Sequence, residues 1–207
     1  MYKVYDVSMS IFEGMPVYKN KEEKQPHLQR VTNNYVSETR LSMDVHCGTH
    51  VDAPLHMVVE GETMETISID RLVGPCRVLD LTHVTDGIKQ SDLENLDIEE
   101  GEFLLLKTSN SFEDAFHPEF IFVQEDAAQY FTEKKINGVG IDALGIERSQ
   151  PGHPTHKTLF NHGIIIIEGL RLKEVPAGRY FMFAAPLKLV GTDAAPARVM
   201  LVDGMIG

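Results

Sequence analysis

The sequence predicts an α/β fold in one domain, and three observations carry that prediction. Two short runs of apolar residues, Phe103-Leu104-Leu105-Leu106 and Ile164-Ile165-Ile166-Ile167, read as buried strands. Between them, Gln124 to Lys135 has the composition of a helix, with Glu125 and Asp126 early and Lys134-Lys135 late, which suits the helix dipole. Strands that alternate with helical stretches mean α/β. No internal repeat and no linker divides the 207 residues, so one domain over residues 1–207 is expected, with one sizeable core.

Taken in order, Lys3 to Met9 alternates loosely and predicts a first strand, which Gly14-Met15-Pro16 breaks. Lys19 to Gln29 is charged and polar around Pro26, and a mobile surface segment is expected there. Val36 to Val45 resumes the alternation and delivers the chain to His46. Ile67 to Gly74 reads as a short helical or looped passage, and Cys76 to Leu81 as a strand. Ser91 predicts a helix N-cap with Glu94 as its capping-box partner. Asn137-Gly138 ends the helix that begins near Gln124, and Val139 to Asp142 starts the next strand. Gly145 to His156 is a long loop with two histidines of its own, followed by a short helix to Phe160. The Ile164–Ile167 strand runs into Glu168, and parallel sheets place their chemistry at the carboxyl ends of strands. Tyr180 to Val190 and Arg198 to Val202 predict two final strands, separated by Gly191 and Pro196.

Charge and cysteine content exclude several function classes. The net charge is −12, and the densest basic cluster, Lys19 to Lys24, is broken by Glu22 and Glu23, so no nucleic-acid partner is expected. Two cysteines, Cys47 and Cys76, form no CxxC pair and no disulfide framework, and both read as reduced, buried residues. The opening residues lack a signal-peptide pattern, and no apolar run is long enough to span a membrane. A cytoplasmic protein without membrane contact is therefore expected.

The segment His46-Cys47-Gly48-Thr49-His50-Val51-Asp52-Ala53-Pro54-Leu55-His56 carries the chemistry. Its three histidines and one aspartate all occupy even positions, with small or apolar residues between them, the period of an extended segment. A straight strand would separate His46 from Asp52 by about 20 Å, whereas metal bonds need about 2.0–2.2 Å. The chain must therefore curl, and Gly48 and Pro54 permit the bends. Those two residues also penalise the helix that would align His46 with His50. Neutral imidazoles and a carboxylate suit zinc, manganese or iron, and three protein ligands with an open position is a catalytic arrangement.

This segment fits the pattern HxGTHxDxPxH without departure, and the chain resembles the cyclase family of metal-dependent hydrolases, which contains bacterial kynurenine formamidase and isatin hydrolase. The likeness extends to Asp6-Val7-Ser8 with Gly14 to Val17, to His156 with Ile167 to Leu170, and to Pro186 to Gly191 with Ala195 to Arg198. The resemblance implies a swivelling β/β/α fold with a mixed sheet, in homodimers or homotetramers. It implies two zinc ions, the first held by His46, His50 and Asp52, the second by Asp52, His156 and Glu168, with His56 as acid/base. In the isatin-hydrolase branch a single manganese takes the first triad; the presence of both His156 and Glu168 favours two metals.

The residues make hydrolysis of a non-peptide C–N bond chemically sensible. A metal held by two histidines and a carboxylate lowers the pKa of its water toward about 7, and His56 can protonate a departing aryl amine. No GxSxG elbow, cysteine triad or phosphate loop offers another mechanism. The resemblance implies the activity of an arylformamidase in tryptophan catabolism, cleaving N-formyl-kynurenine to kynurenine and formate. Hydrolysis of isatin or another cyclic amide is the alternative, and a metal-binding domain without catalysis would have no use for an unligated His56. His153 and Tyr18 are candidate pocket residues, as are Met15 and Phe112. Asp142 could support a ligand histidine or cap a helix, while His27, His83, His117 and His162 are expected to be structural or exposed. With no tryptophan in the chain, an aromatic substrate would have to stack on Phe or Tyr.

Overall fold

An eight-stranded mixed sheet organises the structure, a computed structural model in which residues 2–204 are described. The strands are β1 (Lys3–Asp6), β2 (His27–Asn33), β3 (Val36–Ser42), β4 (His50–Asp52), β5 (Val73–Asp80), β6 (Gly87–Ile88), β7 (Phe103–Lys107), β8 (Phe122–Val123), β9 (Gly138–Ile141), β10 (Ile165–Glu168), β11 (Gly178–Pro186) and β12 (Ala194–Asp203). Three helices accompany them: α1 (Gln90–Leu93), α2 (Glu125–Glu133) and α3 (Pro154–Asn161). The sheet order is β1-β12-β11-β5-β7-β9-β10-β4, and β4 also pairs with the start of β12. That last pairing curls the sheet into a barrel-like ring. The α/β class and the mixed sheet are as expected: β5, β7, β9 and β10 run parallel, and the other neighbours antiparallel.

The apolar runs are strands buried on both faces, because the sheet separates two cores. Leu104, Leu106, Val139, Ile141 and Ile166 face the helices and meet Phe131, Leu159 and Phe160. Phe103, Leu105, Ile165 and Ile167 point the other way, to Val51, Ala184, Val199 and Leu201 inside the curl. Alternation of side chains across the pleat produces this division.

Several boundaries depart from the sequence reading. β5 begins at Val73 and runs through Pro75, because only Arg77 to Asp80 pair with β7 and the flank beside Pro75 is open. β12 begins at Ala194 and contains Pro196, which lies opposite His50 in the short pairing with β4. α1 starts after Lys89 rather than at Ser91; the Asp92 carboxylate accepts the Lys89 N–H at 2.8 Å, so Asp92 and not Glu94 closes the box. α3 begins at Pro154, a residue suited to the first helical position. Within Lys19–Gln29, two 3-10 turns, Tyr18–Asn20 and Glu22–Lys24, precede the start of β2 at His27. β2 and β3 form a hairpin in which every residue is exposed.

Candidate metal centre

The ligand segment is bent twice, where glycine and proline stand. Cys47 N–H donates to the Asp44 carbonyl at 3.1 Å, and Gly48 takes a left-handed φ of +71°. Only His50–Asp52 is strand, and Pro54–His56 is a 3-10 turn. The turn swings His56 back, so that its ring centroid lies 4.1 Å from that of His46. The intervening residues face the cores: Val51 and Ala53 inside the curl, Cys47 against Met15 and Val17.

Register supplies the rest of the cluster. Antiparallel pairing sets Glu168 of β10 opposite His50, and Ala194 of β12 opposite Asp52, so Asp193 arrives beside the same strand. The helix α3 brings His156 to the other side of Asp52. Asp52 Oδ1 lies 3.0 Å from His46 Nδ1 and 3.3 Å from His50 Nε2; Oδ2 lies 3.9 Å from His156 Nε2. Glu168 lies 3.4 Å from both His50 Nε2 and His156 Nε2. Two triads, His46–His50–Asp52 and Asp52–His156–Glu168, each offer ligand atoms within 4.8 Å of one another and share Asp52.

The hydrogen bonds point the histidines inward. His50 Nδ1 donates to the Gly48 carbonyl at 2.9 Å, and His156 Nδ1 to Glu147 Oε2 at 2.7 Å, which turns both Nε2 atoms toward the carboxylates. Both oxygens of Asp52 and Nε2 of His50 are buried without a hydrogen-bond partner. Such orphaned groups are costly unless something satisfies them, and imidazole with carboxylate oxygen is a donor set for a divalent metal. The residues fit a metal.

Electrostatics bind the cluster together. Burial disfavours charge on His50, but Asp52 and then Glu168 outweigh it and lift its pKa to about 10. Burial likewise opposes the charge on His156, yet its bond to Glu147 and the nearby Glu168 raise it to about 10. Burial and the neighbouring Asp52 push Glu168 upward, but His156 and His50 hold it down to about 2. His56 moves the opposite way: burial lowers it, so it stays neutral at neutral pH. Burial raises the Cys47 thiol to about 11, with Asp44 adding to it, and burial alone raises Cys76 to about 12; both are free.

Two contributors carried no local sequence signal. Asp193 Oδ2 accepts from His46 Nε2 at 2.9 Å and lies 3.4 Å from His56 Nδ1, yet it is 147 and 137 residues away from them in the chain. Glu147 sits in the loop before α3, lines the site cavity and accepts from His156 Nδ1. Asp142 meets no ligand histidine; it accepts from Thr108, Asn110 and Ser111 at the start of a 3-10 turn. Met15 packs in the core, and Phe112 is half exposed and does not line the site cavity. Tyr18 and His153 do line it, in a cavity of about 330 Å³ with His46, His56, Met57, His156 and Glu168. His27, His83, His117 and His162 are exposed.

A curled α/β sheet that presents a histidine–carboxylate metal centre, with a carboxylate shared between two triads, defines the class of protein. The chain belongs to the family described as Putative cyclase, whose model matches residues 5–148. It is 34% identical over 204 residues to a kynurenine formamidase of Salinibacter ruber, covering 96% of each chain. Among solved structures it is similar to one from Bacillus stearothermophilus, described as a predicted metal-dependent hydrolase, at 70% identity and TM-score 0.92, covering 98% of this chain and 99% of that one. Isatin hydrolase A of Ralstonia solanacearum shares the fold at 20% identity and TM-score 0.83, over 97% of this chain and 92% of that one. Among the described residues, no helix is long and apolar enough to cross a membrane.

Proposed function

We propose that this chain is a metal-dependent amide hydrolase, an arylformamidase that cleaves N-formyl-kynurenine to kynurenine and formate in tryptophan catabolism. One observation carries the reading: Asp52 turns one oxygen to each of two triads, the arrangement a pair of bridged metals requires. The substrate follows the kynurenine formamidase of Salinibacter ruber, which the chain matches over nearly its whole length.

In this reading His46, His50 and Asp52 hold one zinc, and Asp52, His156 and Glu168 the other. Bound there, the metal supplies Lewis acidity toward water and toward the amide carbonyl. The chain's own groups move the protons. Neutral His56 takes a proton from the attacking water at Nε2, the ring nitrogen that does not face Asp193. It returns that proton to the amide nitrogen as the C–N bond breaks. Asp193, bonded to His46 and facing His56, holds the two rings at their separation. Tyr18 offers the cavity its aromatic wall, backed by edge contacts to Phe116 and Phe120.

The working unit is a homodimer or homotetramer. A two-stranded hairpin alone is marginal in water, and β2–β3 exposes Leu28 with Leu41 on one side and Val31 with Val36 on the other, apolar surface that a second copy would cover. Two free cysteines fit a reducing cytoplasm.

The test is hydrolysis of N-formyl-kynurenine by zinc-loaded protein, with isatin in parallel and metal counted per chain. The expected result is rapid formamide cleavage with about two zinc ions, as the two-metal arrangement requires. Turnover of isatin alone, with one metal, would replace this reading by the lactam one.

A further inference from the structure

The cavity that opens onto His46, His156 and Glu168 of the metal cluster has a basic rim, although the chain as a whole carries a charge of −12. Lys19, Lys21 and Lys24 all line it, from the two 3-10 turns between Tyr18 and Lys24. The carboxylates in the same lining, Glu147 and Glu168, are turned inward to His156 and to the Ile146 N–H. Glu22 and Glu23 lie in the same turns but do not line the cavity.

The three lysines are not equivalent. Lys24 is paired with Asp44 at 3.1 Å, and Asp44 also accepts the His46 N–H, so Lys24 is a strut for the ligand segment. Lys21 has only an exposed contact of 3.5 Å with Glu23, which contributes little. Lys19 has no carboxylate within 4.0 Å among the described residues; its ammonium lies 5.3 Å from the centre of the Tyr18 ring.

The backbone that presents Lys19 is strained in a way that needs a reason. Lys19 and Asn20 both take left-handed conformations, with φ of 57° and 50°. Across the cavity Ser149 and His153 do the same, and Tyr18 Oη and Ser149 Oγ lie 2.9 Å apart, tying the two walls together. Half of the eight non-glycine left-handed residues among those described therefore lie in or beside the lining of one cavity. Such backbone conformations are disfavoured for residues with a side chain and persist where surrounding structure imposes them, often at ligand clamps.

We propose that Lys19 and Lys21 form a carboxylate-binding rim, so that this enzyme selects aryl amides that carry a carboxylate on the ring substituent, on the amine side of the scissile C–N bond. The inference rests on the amide-hydrolase reading and adds to it the charge of the substrate. Tyr18 would stack on the ring while the ammonium groups beside it meet the carboxylate, and the net negative surface elsewhere leaves this rim as the favourable approach for an anion.

The test uses a formanilide with a carboxylate-bearing ring substituent and the methyl ester of the same compound, both with zinc-loaded enzyme. The expected result is a preference for the acid that weakens at high ionic strength. In K19E/K21E the acid-to-ester ratio of kcat/KM should fall about tenfold or more, through KM, as expected when charge-assisted contacts are reversed. K19M/K21M, which cannot repel, should give a smaller fall in the same direction. Equal turnover of acid and ester by the wild type, or a ratio unchanged in K19E/K21E, would overturn the proposal. Calorimetric binding of the two deformylated products gives a readout without turnover: the acid's product should bind more tightly, and K19E/K21E should erase the difference. If neither formanilide is cleaved, the arylformamidase reading falls, while the binding comparison still decides for or against the rim.

Discussion

Gly169 lies against Gly48 so closely that a Cβ on it would sit 2.5 Å from the Gly48 carbonyl oxygen. That carbonyl accepts the His50 Nδ1 proton, and Gly169 directly follows Glu168, so one close approach positions a ligand from each of two strands. Thr49 Oγ1 reinforces it by donating to the Gly169 carbonyl at 2.6 Å.

Gly169→Ala should therefore damage both fold and site. The residue has a φ of +70° and a backbone neighbour that cannot give way. A loss of about 2 kcal/mol or more is expected from strain combined with overpacking. Chemical denaturation of the metal-free protein checks the stability, and zinc titration checks the site. An unchanged midpoint and affinity would show that the contact is slack.

The ligand and acid/base roles predict different failures. Asp52→Asn should lose the bound metal, because its oxygens face both triads. His56→Ala should keep its zinc and lose turnover by roughly a hundredfold to ten-thousandfold, the range for a positioned acid/base. Metal analysis of each variant beside its kcat separates the two. A His56→Ala enzyme with near-normal kcat would remove the residue from the mechanism.

Asp193→Asn should retain metal while lowering kcat about tenfold to a hundredfold, the range for partners that orient metal-ligating histidines. The amide still fills the space near His46 and His56 but carries no charge. The limb of the pH–rate profile that reports His56 should move to lower pH, since a carboxylate that favours its protonated form is gone. A lower rate with an unmoved profile would confine Asp193 to packing.

Stability of the metal-free protein should depend on pH with a definite sign. His50 and His156 are raised from 6.5 to about 10 in the folded state, so their contribution is complete below 6.5 and is lost as pH rises through about 10. Glu168 is lowered from 4.5 to about 2, so its share is present above 4.5 and is lost as pH falls through about 2. The stripped protein should be most stable between these limits and lose Tm from pH 6.5 toward 10. Zinc requires the histidines without their ligand-side protons, so the Tm gained from zinc should grow with pH. Calorimetric scans with and without zinc check both; a Tm of the stripped protein that rises toward pH 10 would contradict the assignment.

The metal segment, the strand that ends in Glu168 and the α/β class were legible in the sequence because each is written in local periodicity. Three histidines and an aspartate at alternate positions, bent at Gly48 and Pro54, specify a clamp within eleven residues. The four apolar residues of Ile164–Ile167 specify a strand buried on both faces, whatever its neighbours are. Pairing across the sheet follows a different rule. β4 has only three residues, and its place between β10 and the start of β12 depends on the curl of the whole sheet. That placement alone brings Asp193 to His46, and packing of α3 alone sets Glu147 behind His156. The exposed hairpin and the left-handed turns that carry Lys19 likewise lack a periodic signal, since their side chains face solvent rather than a core. Local patterning thus determined which chemistry the chain carries, because ligand spacing is a property of adjacent residues. Only the tertiary structure decided that Asp193 stands beside His46 and His56, because that depends on strand register over more than a hundred residues of intervening chain.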